Sequence, residues 1–272
     1  DSEINQLREK LESLDLDKKT YNKLLNEIDK YFTCSEFSPE SSVIKNYLDT
    51  VLNLPWHDET VINTDIKKIK NELNETHYGL NELKDRICEY AFFLAKNKNL
   101  TSPVICLLGA PGVGKTTSAY SIARALNREF IKISVGGLND STELVGSRRT
   151  YLGASPGKIM QGIMKCKVKN PVILIDEVDK MVKDYKGDPA STLLEILDST
   201  QNKYFIDNYI EEPFDLSKVM FILTANNLDT IPATLLDRLE IIKMDNYMTS
   251  QKIDIAKNYL IKDIFKELNI VN

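Results

Sequence analysis

The stretch Gly109-Ala-Pro-Gly-Val-Gly-Lys-Thr-Thr117 has the residue types and spacing best suited to chemistry in this chain. It reads G-x-x-x-x-G-K-T, with the apolar run Pro103 to Leu108 before it and the helix-patterned Ser118 to Leu126 behind it. Strand, glycine loop and helix in that order form a cradle for phosphate. Gly109, Gly112 and Gly114 let successive main-chain N–H groups turn toward anionic oxygens, and the helix start adds its positive end. Pro111, Gly112, Val113, Gly114, Lys115, Thr116 and Thr117 are the expected nucleotide contacts, with Lys115 on the terminal phosphates and the Thr116 hydroxyl on Mg²⁺. The predicted ligand is a nucleoside triphosphate.

A second group follows the apolar run Val172-Ile-Leu-Ile175, which leads directly into Asp176-Glu177. An Asp at the carboxyl end of a central parallel strand points into the crevice where ligands bind and can hold Mg²⁺ through water. The neighbouring Glu177 can polarise the attacking water. Carboxylates after a strand also serve as helix caps, and the phosphate loop upstream is what favours the catalytic reading. Asn226 ends a further apolar run, Lys218 to Thr224, where its amide can orient water against the terminal phosphate. The competing reading is a turn formed by Asn226-Asn227.

These groups need a scaffold, and the periodicity supplies one. Hydrophobic strands at 103–108, 130–134, 172–175 and 218–224 alternate with helical stretches, which predicts an α/β fold with a parallel, doubly wound sheet. Ahead of it, Glu3 to Tyr31 is helical with an interruption at Leu14-Asp-Leu-Asp17, and Val43 to Leu52 is a further helix stopped by Leu54-Pro-Trp56. Trp56 is expected as an interdomain packing anchor rather than a ligand contact. A short helix over 65–73 and a long one over 81–96 flank Gly79, a residue suited to a tight turn. Ser250 to Leu268 is again helical. The expected domains are a helical segment over 1–64, the nucleotide-binding domain over 65–246, and the start of a small helical domain over 247–272.

The 272 residues carry a net charge of −5, so no global field draws nucleic acid. No apolar run is long enough to span a bilayer, and no membrane partner is expected. The chain opens in a charged helical pattern with no apolar leader, as expected of a segment from inside a longer gene product. Cys34, Cys88, Cys106 and Cys166 show no C-x-x-C pairing, and His57 and His77 lie near none of them in sequence. This argues against zinc and for a reducing compartment.

Taken together, Gly109 to Thr117, Gly136-Gly-Leu138 through Arg148-Arg-Thr-Tyr-Leu-Gly153, Ile175 to Lys180, Gly187 to Ala190, Thr224-Ala-Asn226 and Leu235-Leu-Asp-Arg238 resemble the ATPase module of the Lon family of AAA+ proteases. Val43 to Asp49 and Leu54-Pro-Trp56 look like the helical region that precedes that module, and His77-Tyr-Gly-Leu80 resembles its adenine-pocket box, implying Tyr78, Gly79 and Leu80 as nucleotide contacts. The resemblance implies an AAA+ P-loop fold whose cofactors are ATP or ADP with Mg²⁺. Lys115 and Thr116 would be its Walker A contacts, Asp176 its Walker B metal ligand, Glu177 its water activator and Asn226 its first sensor. Arg238 would be an arginine finger that completes a neighbouring subunit's site in a homo-hexamer. Tyr151 and Leu152 would form a pore loop gripping unfolded or tagged protein, with Asp184 to Gly187 near a second loop. From the residues alone, a buried core tyrosine is the alternative for Tyr151, disfavoured by its polar, glycine-rich surroundings.

The resemblance also marks departures. The family's Ser-Lys proteolytic domain and second-sensor Arg have no counterpart within the chain, and Ser155 with Lys158 is not read as a dyad. Asn139, Ser141, Thr142 and Val145 stand where the family often carries charge. The leading expectation is an ATP-driven unfoldase and translocase, the motor of an ATP-dependent protease. The bacterial cytoplasm is its expected location, with the mitochondrial matrix as alternative. A clamp-loader or helicase-loader type ATPase acting on nucleic acid is the other reading, disfavoured by the acidic balance. A GTP switch lacks its N-K-x-D text.

Overall fold

The computed structural model describes residues 2–137, 140–181, 188–245 and 259. In chain order the elements are α1 (Ser2–Ser13), α2 (Lys18–Thr33), α3 (Pro39–Val51), α4 (Ile66–Thr76), α5 (Asn81–Lys96), β1 (Ile105–Leu108), α6 (Lys115–Ala125) and β2 (Phe130–Ser134). They continue with α7 (Thr142–Val145), α8 (Lys158–Cys166), β3 (Val172–Asp176), α9 (Pro189–Leu197), β4 (Met220–Ala225), α10 (Ala233–Leu236) and β5 (Glu240–Lys243). The expected helical domain over 247–272 and the loop at Asp184 to Gly187 lie outside the described residues, apart from Tyr259.

The chain forms two compact units that are interleaved along the sequence. One comprises Asp1–Thr60, Gly137–Pro171 and Met181–Val219, and the other Val61–Gly136, Val172–Lys180 and Met220–Asn272. The second unit holds the sheet, whose strands run in the order β2-β3-β4-β1-β5 and pair in parallel throughout. Central strands β1, β3 and β4 are buried along nearly their whole length, as their uninterrupted Val, Ile and Leu content requires of a sheet covered on both faces. Ile105, Leu107, Val172, Leu174, Met220 and Ile222 pack against Ile69, Leu83, Ile87, Ala119, Ile122 and Ala123 of α4, α5 and α6. The apolar stripe of α5 follows the predicted spacing, with Leu83, Ile87, Tyr90, Ala91 and Leu94 all buried. Strand β5, absent from the sequence-based expectation, closes the sheet edge beside β1.

The first unit begins with three helices, and the starts of α2 and α3 are written in the sequence. Asp17 accepts the N–H of Thr20 at 2.8 Å to cap α2, while Ser38 accepts that of Ser41 at 3.1 Å to cap α3, with Pro39 opening the helix. Trp56 packs within this unit, its ring centroid 5.4 Å from that of Phe214 and its indole N–H donating to Val51 O at 3.0 Å. The buried Asp207 carboxylate accepts N–H groups from Gly157, Tyr209 and Ile210 at 2.8, 2.8 and 3.1 Å. It thereby ties the chain after α7 to the segment before β4.

Candidate functional site

Because every strand runs the same way, the carboxyl ends of β1, β2, β3 and β4 share one edge of the sheet. The register makes this local: Leu108 pairs with Ala225, and Ser134 with Asp176. The phosphate loop therefore leaves β1 beside the end of β4, with Gly109 N–H donating to Ala225 O at 3.1 Å. Gly112 and Gly114 take φ values of 83° and 92°, which costs glycine little and lets the loop turn sharply into α6. No side chain caps α6 at this end, so the N–H groups of its first turn remain available to an anion.

Lys115 opens α6 and its ammonium reaches back under the loop. It donates to Gly109 O at 2.5 Å, Asn226 Oδ1 at 2.7 Å and Ala225 O at 3.3 Å. All three acceptors are uncharged, so the cation is positioned without being neutralised by a contact. Burial pushes the Lys115 ammonium down from its ordinary value, against the opposing pull of Asp179 and Asp176. An anionic ligand at the loop would reverse that balance.

Asp176 and Glu177 are held by one hydroxyl. The buried Thr224 Oγ1 donates to Asp176 Oδ1 and accepts the Glu177 N–H at 3.0 Å. Glu177 sits in the left-handed region at φ 62°, a conformation that costs a non-glycine residue about 1–3 kcal/mol and persists only where neighbours impose it. Lys180 Nζ donates to Glu177 Oε1 at 3.0 Å, and Lys132 Nζ lies 3.7 Å from Asp176 Oδ2. The Glu177 carboxylate lies over Gly136, where a Cβ would overlap Oε2.

The sequence-based expectation assigned no role to Thr224 or Asp179. Asp179 is buried and its Oδ2 accepts the N–H groups of Asn226 and Asn227 at 3.0 and 3.3 Å. It fixes the turn after β4 so that the Asn226 amide meets Lys115. The visible signals were a hydroxyl among apolar residues near a strand end and a further carboxylate three residues after Asp176.

The remaining expected residues fall in three places. Tyr78, Gly79 and Leu80 form the turn into α5, with Gly79 and Leu80 both left-handed at φ 65° and 53°. His77 beside them brings this turn to the phosphate loop, its Nε2 lying 3.3 Å from Thr117 Oγ1. Burial, reinforced by Lys84, pulls the His77 imidazole down to about 4. Arg238 is exposed and lies far from Lys115 along the strands. It precedes β5, whose first residue Glu240 pairs with Ile105 at the start of β1, and the length of β1 puts about 10 Å between that end of the sheet and the phosphate loop. Tyr151 and Leu152 belong to the other unit and are exposed at 64% and 107%, so the alternative of a buried core tyrosine does not hold.

The protein donors suit Mg²⁺ arriving with a nucleotide. Thr116 and Asp176 offer hard oxygens, and the described residues contain no cluster of three or more His, Cys, Asp or Glu side chains that could cage a metal. That pattern fits a cation completed by phosphate oxygens and water. No helix among the described residues is long and apolar enough to cross a membrane.

Comparison with known proteins agrees with this geometry. Residues 105–245, a little over half of the chain, match the family described as "ATPase family associated with various cellular activities (AAA)". The chain is 52% identical over 266 residues to Lon protease of Clostridioides difficile (strain 630), an alignment covering 98% of this chain and 34% of that protein. It is 47% identical over 270 residues to Lon protease of Ureaplasma parvum serovar 3, covering 99% of this chain and 34% of that protein. With Lon protease 1 of Bacillus subtilis (strain 168) the identity is 48% over 265 residues, covering 97% and 34%. The chain thus spans about a third of the length of the curated relatives it matches. With a phosphate loop, paired carboxylates and an amide brought to one edge of an all-parallel sheet, the chain belongs to the AAA family of ATPases, in the form found within Lon proteases.

Proposed function

We propose that this chain is the motor of an ATP-dependent protease, hydrolysing ATP to unfold protein substrates and thread them through the pore of a homo-hexamer. Lys115 binds the terminal phosphates, the first turn of α6 holds them through its N–H groups, and Tyr78, Gly79 and Leu80 wall the base. Mg²⁺ on Thr116 and Asp176, when bound, neutralises phosphate charge. Glu177 takes a proton from water as that water attacks the γ-phosphate in line, while Asn226 keeps the water oriented. Arg238 comes from the neighbouring subunit and stabilises the charge that develops. Tyr151 and Leu152 grip the extended substrate through ring and apolar contact without reading its sequence.

The observation that carries this reading is the separation of two groups of residues. Lys115, Asp176, Glu177 and Asn226 gather at one sheet edge, while the exposed Arg238 stands toward the other end of β1. An exposed Arg about the length of β1 away from its own subunit's phosphate loop is placed as a finger for an adjacent subunit would be. The functional segments are then the helical part over 1–64, the ATPase over 65–246 and the start of a lid over 247–272, in a protein of the bacterial cytoplasm.

The test measures ATP hydrolysis by the full-length protein alone, with an unfolded protein, and with duplex DNA, alongside molecular mass in solution. Stimulation by the unfolded protein together with a six-subunit mass is the expected result. Stimulation by DNA alone, lost as salt rises, would transfer the chain to the nucleic-acid motors.

A further inference from the structure

Two residues before Tyr151, the side chain of Arg149 engages the helical part of its own unit. Its Nη1 and Nη2 donate to the two carboxylate oxygens of Glu27 at 3.0 and 2.8 Å, and its Nε lies 3.5 Å from Glu211 Oε1. The guanidinium carbon stands 4.1 Å from the centroid of the Tyr47 ring. Both charged side chains are largely withdrawn from water, at 15% exposure for Arg149 and 13% for Glu27. A flat fork that bonds a carboxylate with two parallel N–H groups while stacked on a ring is a geometry only arginine supplies. Burial pushes the Glu27 carboxyl up, but Arg149, together with the smaller pull of Lys30, reverses this and holds it below its ordinary value.

The loop that carries Tyr151 is closed at its neck. Asn208 N–H donates to Val145 O at 2.7 Å, Ser147 N–H to Ser155 O at 3.3 Å and Gly157 N–H to Asp207 at 2.8 Å. Above the neck, Tyr151 N–H donates to Arg148 O at 3.0 Å and Ala154 N–H to Tyr151 O at 3.1 Å, making two successive turns. Arg149 thus links the loop's upper part to α2 and α3 through Glu27 and Tyr47. Two residues of backbone extend at most about 7 Å, so while the grip on Glu27 holds Arg149 against α2, Tyr151 stays within that distance of a point fixed on the helix.

We infer that Arg149 is a positioning residue: its forked bond to Glu27, stacked on Tyr47, makes the Tyr151-Leu152 tip move as one body with helices α2 and α3. The inference rests on the proposed role of Tyr151 in gripping substrate. Force taken up at the tip then passes into the N-terminal helices instead of bending the loop.

The test uses Glu27→Gln and Arg149→Lys in the full-length protein. Each keeps side-chain bulk: Glu27→Gln takes the charge out of the pairing, and Arg149→Lys keeps the charge but loses the fork and its stacking on Tyr47. Hydrolysis of ATP without substrate should stay within about twofold of wild type, while its stimulation by an unfolded protein falls about tenfold. Amide hydrogen exchange across residues 147–155 should quicken, with exchange in β4 unchanged. The exchange readout separates positioning from general loss of stability, which would quicken both regions. Wild-type stimulation in both variants overturns the inference, whether or not the loop exchanges faster. Should Glu27→Gln fail to melt cooperatively, Arg149→Lys carries the same test. Tyr151→Ala, assayed in parallel, separates the two claims. If it abolishes stimulation while the clamp variants keep it, the clamp is wrong and the grip stands. If it leaves stimulation intact, the grip is wrong and the clamp inference falls with it.

Discussion

Replacing Gly136 with Ala should lower turnover about a hundredfold while leaving the fold untouched. Gly136 follows β2, and its backbone lies outside the left-handed region, so alanine is conformationally permitted there. The added Cβ would overlap Glu177 Oε2 by about an ångström, judged against the ordinary carbon–oxygen contact of about 3.3 Å. The obstructing atom is the end of a flexible side chain, so the carboxylate swings aside instead of the backbone distorting. Swinging aside breaks the Lys180 contact at 3.0 Å and moves the oxygen expected to accept the proton of water. A misplacement of about 1 Å at a reacting group costs on the order of a hundredfold, or about 2.7 kcal/mol in activation free energy. The assay is steady-state ATP hydrolysis with nucleotide binding and thermal melting measured on the same preparation. ATP should bind as in wild type and the melting temperature should hold within about 2 °C. Turnover within about threefold of wild type, with Glu177→Gln inactive, would show that the position of this carboxylate is not what Gly136 protects. Full activity in both variants would remove Glu177 from the chemistry altogether.

Three further outcomes are expected. The folded pKa of His77, about 4, lies below its ordinary 6.5, so the unfolded chain takes up the proton first. Its contribution is present above pH 6.5 and lost as pH falls toward 4, up to about 3 kcal/mol. Denaturant titrations of wild type against His77→Gln across that window check it, and a difference that does not change with pH refutes it. Thr224→Val leaves the Glu177 N–H without its acceptor, which should cost about 1–3 kcal/mol in chemical denaturation and depress turnover; unchanged stability and turnover would dismiss the bridging role. Arg238→Ala should bind ATP normally yet hydrolyse it about a thousandfold more slowly. Mixing Arg238→Ala with Glu177→Gln subunits should recover partial activity, because some interfaces then combine an intact Glu177 with an intact Arg238. No recovery on mixing would exclude a finger contributed by the neighbour.

The parts of the fold that were legible in the residues are those governed by local rules. The stripe Leu83, Ile87, Tyr90, Ala91 and Leu94 located α5, and the alternation in Phe130 to Ser134 located β2. The glycines of the phosphate loop announced it without help from the rest of the chain. Strand β5 was not legible, since only Ile241 and Ile242 of its four residues are apolar, between the charged Glu240 and Lys243, and they have strand geometry because β1 lies alongside. The short helices α7 and α10 are likewise defined by what surrounds them. In the site, Lys115 and the paired carboxylates followed from motif and context. Thr224 bridging Asp176 and Glu177, and Asp179 fixing the Asn226 turn, depend on which strands are neighbours, and spacing does not carry that information. Nor did it announce that two units would be braided through one another along the chain.

That braiding has a consequence for synthesis. Ile105 of β1 pairs with Ile222 on one side and Glu240 on the other, so β1 leaves the ribosome with neither partner yet made. At about 5–20 residues per second the wait is on the order of ten seconds. Throughout it, a strand of Ile, Cys and Leu presents two open edges, the situation in which nascent chains pair wrongly. Neither unit can close early, because each draws on segments from both the beginning and the far part of the described chain. A protein of this layout depends on being shielded during translation, and its yield in cells should follow the supply of chaperones more closely than its final stability.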